Sequence, residues 1–262
     1  MTNPVIQIPS SGHPWGTVLT LAEHTEDPTS WRLAGGLMVQ AHAMMRGLSS
    51  RPTTDADFLV DVLTHKHAVR EVRDALQNMG FQVTRGSLTG YTTRMVCGNS
   101  SVDLLVDNHL SPYLRSRALL SGHQMLGMPG SRRAVARSMI VDLRFERRTA
   151  SVCMPDVLGA LLMKAASWRE TRQGDRSRHL LDAALLASLI DDPIEALLRL
   201  DNRSRSDRRN IRTLRDTLLL PDDDFAFRQL DAEHEENAKL VLEVLAQLLD
   251  MPRHAGRPED YV

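Results

Sequence analysis

The stretch 31-WRLAGGLMVQAHAMMRGLSSRPTTDADFLVDV-62 decides how the chain is read. It opens on a short apolar run and passes Gly35-Gly36. An apolar helical pattern follows over 37–46, and Thr53-Thr54-Asp55-Ala56-Asp57 then opens a second apolar run. That order predicts strand, turn, helix, strand. Residues two apart on a strand face the same way, so the Asp55 and Asp57 carboxylates project from one side. Two like charges side by side cost free energy unless a cation lies between them. A pair of Mg²⁺ ions, which take oxygen ligands, is the expected partner. Glycine at a strand-to-helix junction lets the backbone approach a ligand closely, and the helix start offers free N–H groups to an anion such as a triphosphate. A phosphate cradle beside a carboxylate pair is the chemistry of phosphoryl or nucleotidyl transfer. Alone, Gly-Gly reads as a plain turn and Asp-x-Asp as a chance pairing. Their order and spacing carry the inference.

Composition narrows the rest. A chain of 262 residues can bury one large core or two modest ones. With 42% hydrophobic and 25% charged residues it reads as an ordinary globular protein. A net charge of −1 argues against a protein that coats nucleic acid, and 4% aromatic residues advertise no base-stacking platform. Cys97 and Cys153 fall on predicted strands and read as packed thiols in a reducing compartment. No cluster has zinc spacing. Neither an export leader nor a membrane-length apolar run is evident, so a cytoplasmic location is expected.

Residues 1–26 read as a loose lead-in with a short helix over 17–24, and His13 and His24 as ordinary surface residues. His42 and Arg46 share one helix face and read as a polar edge; a role for Arg46 or Arg51 beside the triphosphate or the Asp pair is the sharper alternative. A second amphipathic helix over 65–79 ends at Gly80. Strands over 91–97 and 101–106 flank the turn pair Gly98-Asn99. Asp103 lies inside the second of these apolar strands, where a lone carboxylate is expensive unless solvated, paired or metal-bound. Asp107, at the strand end, reads as a turn residue and as the reserve candidate. Residues 109–137 read as a long irregular segment carrying Arg132, Arg133 and Arg137. A hairpin over 138–145 and 149–154 follows. Pro155 then opens an apolar helix with Lys164 in its middle, where snorkelling to solvent competes with a role in the cleft. A charged link over 173–178 leads to a second apolar helix with His179 and Asp182. Arginines 199, 203, 205, 208, 209, 212 and 215 form a basic stripe. It could meet RNA phosphates, or pair with Asp222-Asp223-Asp224 and Glu233, Glu235 and Glu236. A last helix over 232–249 and a frayed tail over 251–262 complete the chain.

Ala34-Gly35-Gly36 and Asp55-Ala56-Asp57, separated by a helix, resemble the signature of the nucleotidyltransferase superfamily of DNA polymerase β type. The paired helices carrying Lys164 and Asp182, joined by a basic link, resemble the C-terminal half of the AbiEii and MenT group of toxin nucleotidyltransferases. His179 departs from that group, which often has Asp there. The resemblance covers residues 31–189. It implies a third carboxylate beside the Asp-x-Asp strand, for which Asp103 is the candidate, and a lysine and an aspartate facing the active site, matched by Lys164 and Asp182.

The expected architecture is an α/β (α+β) nucleotidyltransferase domain with a mixed sheet over 1–154, followed by an all-helical C-terminal domain over 155–262. The nucleotide is expected in the cleft between them. Asp55, Asp57 and Asp103 would ligate two Mg²⁺ ions. Gly35, Gly36 and Lys164 would meet the triphosphate of an NTP, Thr53 would either contact phosphate or be the ordinary β-branched start of the strand, and Asp182 would orient Lys164 or accept from the nucleotide. The expected activity moves a nucleoside monophosphate from an NTP to a hydroxyl. The acceptor would be a tRNA or other RNA, as in the resembled toxins, or a protein side chain, with a cognate antitoxin as a further partner. A small-molecule nucleotidyltransferase of the aminoglycoside type and a non-catalytic nucleotide-binding module are the alternatives.

Overall fold

The computed structural model of the chain describes residues 2–84, 91–171, 175–198, 205–219 and 225–250. Gln173 and Gly174 of the charged link, Arg199 and Arg203 of the basic stripe, Asp222-Asp223-Asp224 and the tail 251–262 lie outside the described residues.

In chain order the elements are β1 (Val5–Gln7), α1 (Trp15–His24), β2 (Trp31–Ala34), α2 (Gly35–Met45), β3 (Asp55–Val60), α3 (Ala68–Asn78), β4 (Gln82–Val83), β5 (Arg94–Cys97) and β6 (Ser100–Asp107). There follow α4 (Pro112–Arg115), β7 (Leu119–Leu120), β8 (His123–Gln124), β9 (Gly127–Met128), α5 (Ser131–Ala136), β10 (Ser138–Phe145) and β11 (Arg148–Pro155). Every described element beyond β11 is a helix: α6 (Val157–Glu170), α7 (Ser177–Ser188), α8 (Pro193–Leu198), α9 (Arg205–Leu219) and α10 (Ala232–Asp250). The fold is thus mixed α/β with a mixed sheet and a helical C-terminal region.

Strand β3 is central because its sequence serves two environments. Asp55 and Asp57 are partly exposed on one face, whereas Ala56, Phe58, Leu59 and Val60 are buried. Phe58 meets Trp31 of β2 edge-to-face, with ring centroids 4.9 Å apart. β2 pairs antiparallel to β3, setting Ala34 opposite Asp57. β6 pairs parallel on the other side, setting Ser101 opposite Asp55 and Asp103 opposite Asp57. β5 returns antiparallel across the Gly98-Asn99 turn, with Gly98 at φ +56°, and brings Arg94 opposite Asp103. The large sheet runs β2-β3-β6-β5-β4, with β9 pairing to β6. A smaller sheet orders β1-β10-β11, and β11 packs beside β2. One apolar core runs continuously from these sheets into α6, α7, α9 and α10.

Several expectations are corrected. The lead-in is not loose throughout: β1 pairs parallel to β10, Val5 opposite Asp142. Nor is 109–137 irregular, since it folds into α4, the β7–β8 pair, β9 and α5. Two-residue strands carry no periodicity that a sequence can display. Pro155 ends β11 rather than opening α6; Asp156 caps the helix, its Oδ1 accepting from the Gly159 N–H at 2.8 Å. His42 is not on a polar edge. It is buried, and its Nε2 meets the Pro155 carbonyl at 3.0 Å. Cys153 is a packed thiol but Cys97 is exposed. Among the described residues no helix is long and apolar enough to cross a membrane.

The basic segments are largely committed within the fold. Arg133 pairs with Asp207 at 2.6 Å and Arg137 with Asp156 at 2.6 Å. Arg212 pairs with Asp250, at the far end of α10 from its acidic start, and Arg215 pairs with its α9 neighbour Asp216. Arg46 pairs with Asp191 and is not among the residues lining the cleft at Asp55 and Asp57. Asp107 takes the turn role, its Oδ1 accepting from the His109 N–H at 2.6 Å.

Candidate active site

A cleft of about 320 Å³ opens between the large sheet and α6–α7. Gly35, Gly36, Thr53, Asp55, Asp57, Asp103 and Lys164 all line it, with Arg51, Arg94, Arg178 and His179. Asp182 is not in the wall; it stands behind Lys164.

Gly35 begins α2 directly after the extended Ala34, and no side chain caps that helix. Its φ is +63°, a region open to glycine and strained for other residues. A Cβ built there would lie 1.7 Å from Asp57 Oδ2, so a side chain at 35 and the Asp57 carboxylate in its present position exclude one another. A Cβ on Gly36 would lie 3.0 Å from the Thr53 side chain. The two glycines are therefore packing constraints as well as a helix start. Gly35→Ala is expected to cost about 1–3 kcal/mol of stability and to displace Asp57. A melting curve matching that of the unsubstituted chain would show that Asp57 has room to move, and the coupling would be lost.

The carboxylates differ in their surroundings. Asp55 Oδ1 accepts from Ser101 Oγ, the residue opposite it on β6. Asp103 is gripped at two points by Arg94, Nη2 to Oδ2 at 2.7 Å and Nε to Oδ1 at 3.1 Å, and accepts from Thr93 Oγ1 at 3.3 Å. Burial pushes Asp57 up to about 6; Asp103 and Asp55 add repulsion, against which Lys164 and Arg178 pull.

On the opposite wall Lys164 Nζ lies 2.7 Å from Asp182 Oδ2, with Lys164 only 5% and Asp182 2% exposed. Lys164 does not snorkel. The partly buried Arg51 completes a triad, donating Nε to Oδ1 at 2.7 Å and Nη2 to Oδ2 at 2.9 Å of the same carboxylate. Burial acts to raise the Asp182 pKa, but Lys164 and Arg51 outweigh it and hold the carboxyl below its usual range. Two cations thus share one anion, and the wall keeps net positive charge facing the carboxylate floor. His179 is pushed down to about 4 by burial, with Lys164 and Arg178 adding, so its imidazole is neutral near pH 7. Its Nδ1 is buried without a hydrogen bond.

Sequence reasoning missed Ser101, Arg94 and Arg178. Arg94 was within reach of it: counting outward from the Gly98-Asn99 turn pairs 97 with 100 and 94 with 103. Arg178 lies on a helix face that only the packing of α7 turns toward the cleft. His13 was also underread, since its Nε2 donates to the Thr54 carbonyl at 2.8 Å, one residue before Asp55.

Among the described residues no group of three or more His, Cys, Asp or Glu side chains is disposed to hold a metal ion. The donors that do converge are all carboxylate oxygens, which suit a hard cation such as Mg²⁺. Asp57, raised by its neighbours, is a group whose charged form a cation would favour. Among the described residues, Asp55 and Asp57 are the carboxylates of this cleft with no cation bonded to them, whereas both oxygens of Asp103 are engaged by Arg94. Comparison of the chain with protein-family models, with curated proteins and with solved structures finds no match.

Proposed function

We propose that the chain is a Mg²⁺-dependent nucleotidyltransferase that moves a nucleoside monophosphate from an NTP to a hydroxyl. The observation that carries this reading is the convergence of a helix start with two glycines, three carboxylates on neighbouring strands and a buried lysine on one cleft. The N–H groups at the start of α2 would donate to phosphate oxygens, favoured by the helix dipole. Lys164, held in place by Asp182, would add a fixed positive charge toward the triphosphate. Asp55 and Asp57 would hold Mg²⁺, with Asp103 joining them. The bound ion would polarise the α-phosphate and neutralise the leaving pyrophosphate. In the step itself the acceptor oxygen bonds to the α-phosphorus as the bond to the β-phosphate bridging oxygen breaks. Pyrophosphate leaves, and the hydroxyl proton passes to a carboxylate of the floor or to water.

The acceptor follows the resemblance: an RNA hydroxyl, with the tRNA 3′ end the first to test. Arg205, Arg208, Arg209 and Arg212 line one shallow groove on α9 together with Asp216 and Asp250; Arg212 is paired with Asp250, and a polyanion would meet Arg205, Arg208 and Arg209 there. A partner that masks the cleft, such as an antitoxin, belongs to the same reading.

The test incubates the purified chain with each α-labelled NTP, Mg²⁺ and either total RNA or RNA-free lysate. Label is expected in the RNA fraction, with one NTP preferred. Label in protein or small molecules instead would keep the chemistry and replace the acceptor. Absence of label from every fraction with all four nucleotides would remove the proposal.

A further inference from the structure

We infer that Arg94 is the built-in counter-cation of the carboxylate floor and competes with a second divalent cation for Asp103. This rests on the cation-dependent reading of the cleft above, and concerns a residue to which that reading gives no role. The chain brings three carboxylates, Asp55, Asp57 and Asp103, onto facing positions of β3 and β6. Among their described neighbours the cation bound directly to this floor is Arg94; Lys164 and Arg51 are committed to Asp182 across the cleft.

Arg94 uses its two-point fork on Asp103, engaging both carboxylate oxygens, so neither is free for an ion while the pair holds. The pair is positioned by backbone register rather than by chance, because residues 94 and 103 are opposed in the β5–β6 ladder. It is also built to open. The Arg94 side chain is 48% exposed and the Asp103 side chain 17%, so the guanidinium can leave into water at small cost while the carboxylate stays in the wall. Asp55 presents a different case, since Ser101 hydroxyl is neutral and need not leave when a cation arrives. The two halves of the floor therefore differ: Asp55 and Asp57 accept a first ion with Arg94 in place, and the second ion must displace Arg94 from Asp103. Binding of the second ion is weakened accordingly until another ligand, such as a nucleotide triphosphate, supplies further oxygens.

Mn²⁺ titration of the full chain without nucleotide, followed by electron paramagnetic resonance of the free ion, tests this without reference to activity. The unsubstituted chain is expected to take one ion readily and a second weakly. Arg94→Gln removes a positive charge beside a doubly charged ion and should tighten the second event about tenfold or more. Adding Asp103→Asn to that variant should abolish the gain. Arg94→Lys keeps the charge but loses the fork, and a gain of about threefold is expected; it serves also if Arg94→Gln fails to fold. Titrations of Arg94→Gln and Arg94→Lys that superimpose on that of the unsubstituted chain, with Asp57→Asn still weakening the first ion, would overturn the role of Arg94 and leave the proposed function standing. A gain that survives Asp103→Asn would also overturn it. If no form of the chain binds Mn²⁺ at millimolar concentration, the cation-dependent function and the inference fall together.

Discussion

Asp57→Asn is expected to abolish the proposed transfer and, in the same protein freed of divalent cations, to raise stability at neutral pH. The first half follows from the proposed function, in which Asp57 would hold the cation at the reacting phosphate. Several kcal/mol of charge stabilisation in the transition state correspond to about 10³-fold or more in rate. The second half follows from the site's own electrostatics. Burial, Asp103 and Asp55 raise the folded-state pKa of Asp57 to about 6 from an ordinary value of 3.8. Between those values the folded chain binds more protons at Asp57 than the unfolded chain does. The Asp57 contribution therefore favours the fold below pH 4 and is lost as pH rises through 6. The loss is on the order of 3 kcal/mol. The neutral asparagine escapes it. The stability difference between Asp57→Asn and the unsubstituted chain should accordingly grow in favour of the variant from pH 4 to pH 7 and then level off. Paired urea denaturations in chelator across that range measure it. A pH-independent difference would mean that Asp57 is solvated, and the crowded carboxylate floor would be the wrong picture. Added Mg²⁺ should then raise the melting temperature of the unsubstituted chain more than that of the variant, because the form with the full ligand set gains more from binding.

Asp182→Ala should have the largest effect on stability of any substitution at the cleft. It leaves Lys164, in the core of α6, and the partly buried Arg51 without their common anion. Breaking a buried ion pair by removing one partner costs about 3–5 kcal/mol. The urea midpoint should fall with the slope unchanged, which separates lost stability from a changed unfolded state. Because the Asp182 carboxyl is held below its usual range, its contribution is present above the ordinary carboxylate pKa and disappears as pH falls through the lowered one. The destabilisation by Asp182→Ala should therefore shrink in strong acid. Lys164→Ala is the contrast: Asp182 keeps its two bonds to Arg51, alanine is a good helix former, and the fold should persist while NTP affinity drops. A cost below about 1 kcal/mol for Asp182→Ala would show that water reaches the triad, and Lys164 would lose its rigid mounting.

The core of the site was legible in the linear chain because its signals are local. Gly35-Gly36 and Asp55-Ala56-Asp57 sit on adjoining elements whose periodicities, 3.6 and 2, are written in the apolar pattern. The β5–β6 hairpin is announced by Gly98-Asn99, and an aspartate inside an apolar strand marks Asp103 as a residue needing a partner. The identity of that partner was a matter of register, and it was Arg94. What no local pattern could carry is the choice among long-range partners. Lys164 in an apolar helix is compatible with snorkelling or with burial; the packing of α6 on α7 decided for burial by setting Asp182 opposite it. Arg51 reaches the same carboxylate from 131 residues away, and β1 finds β10, Val5 opposite Asp142, across a similar span of chain. Arg132, Arg133 and Arg137 look alike in sequence, yet Arg137 is buried on Asp156 and Arg132 stays largely exposed. Side-chain charge and helical or strand period are properties of a few neighbouring residues. Burial, and the counter-charge that burial demands, depend on which surfaces the whole chain brings together.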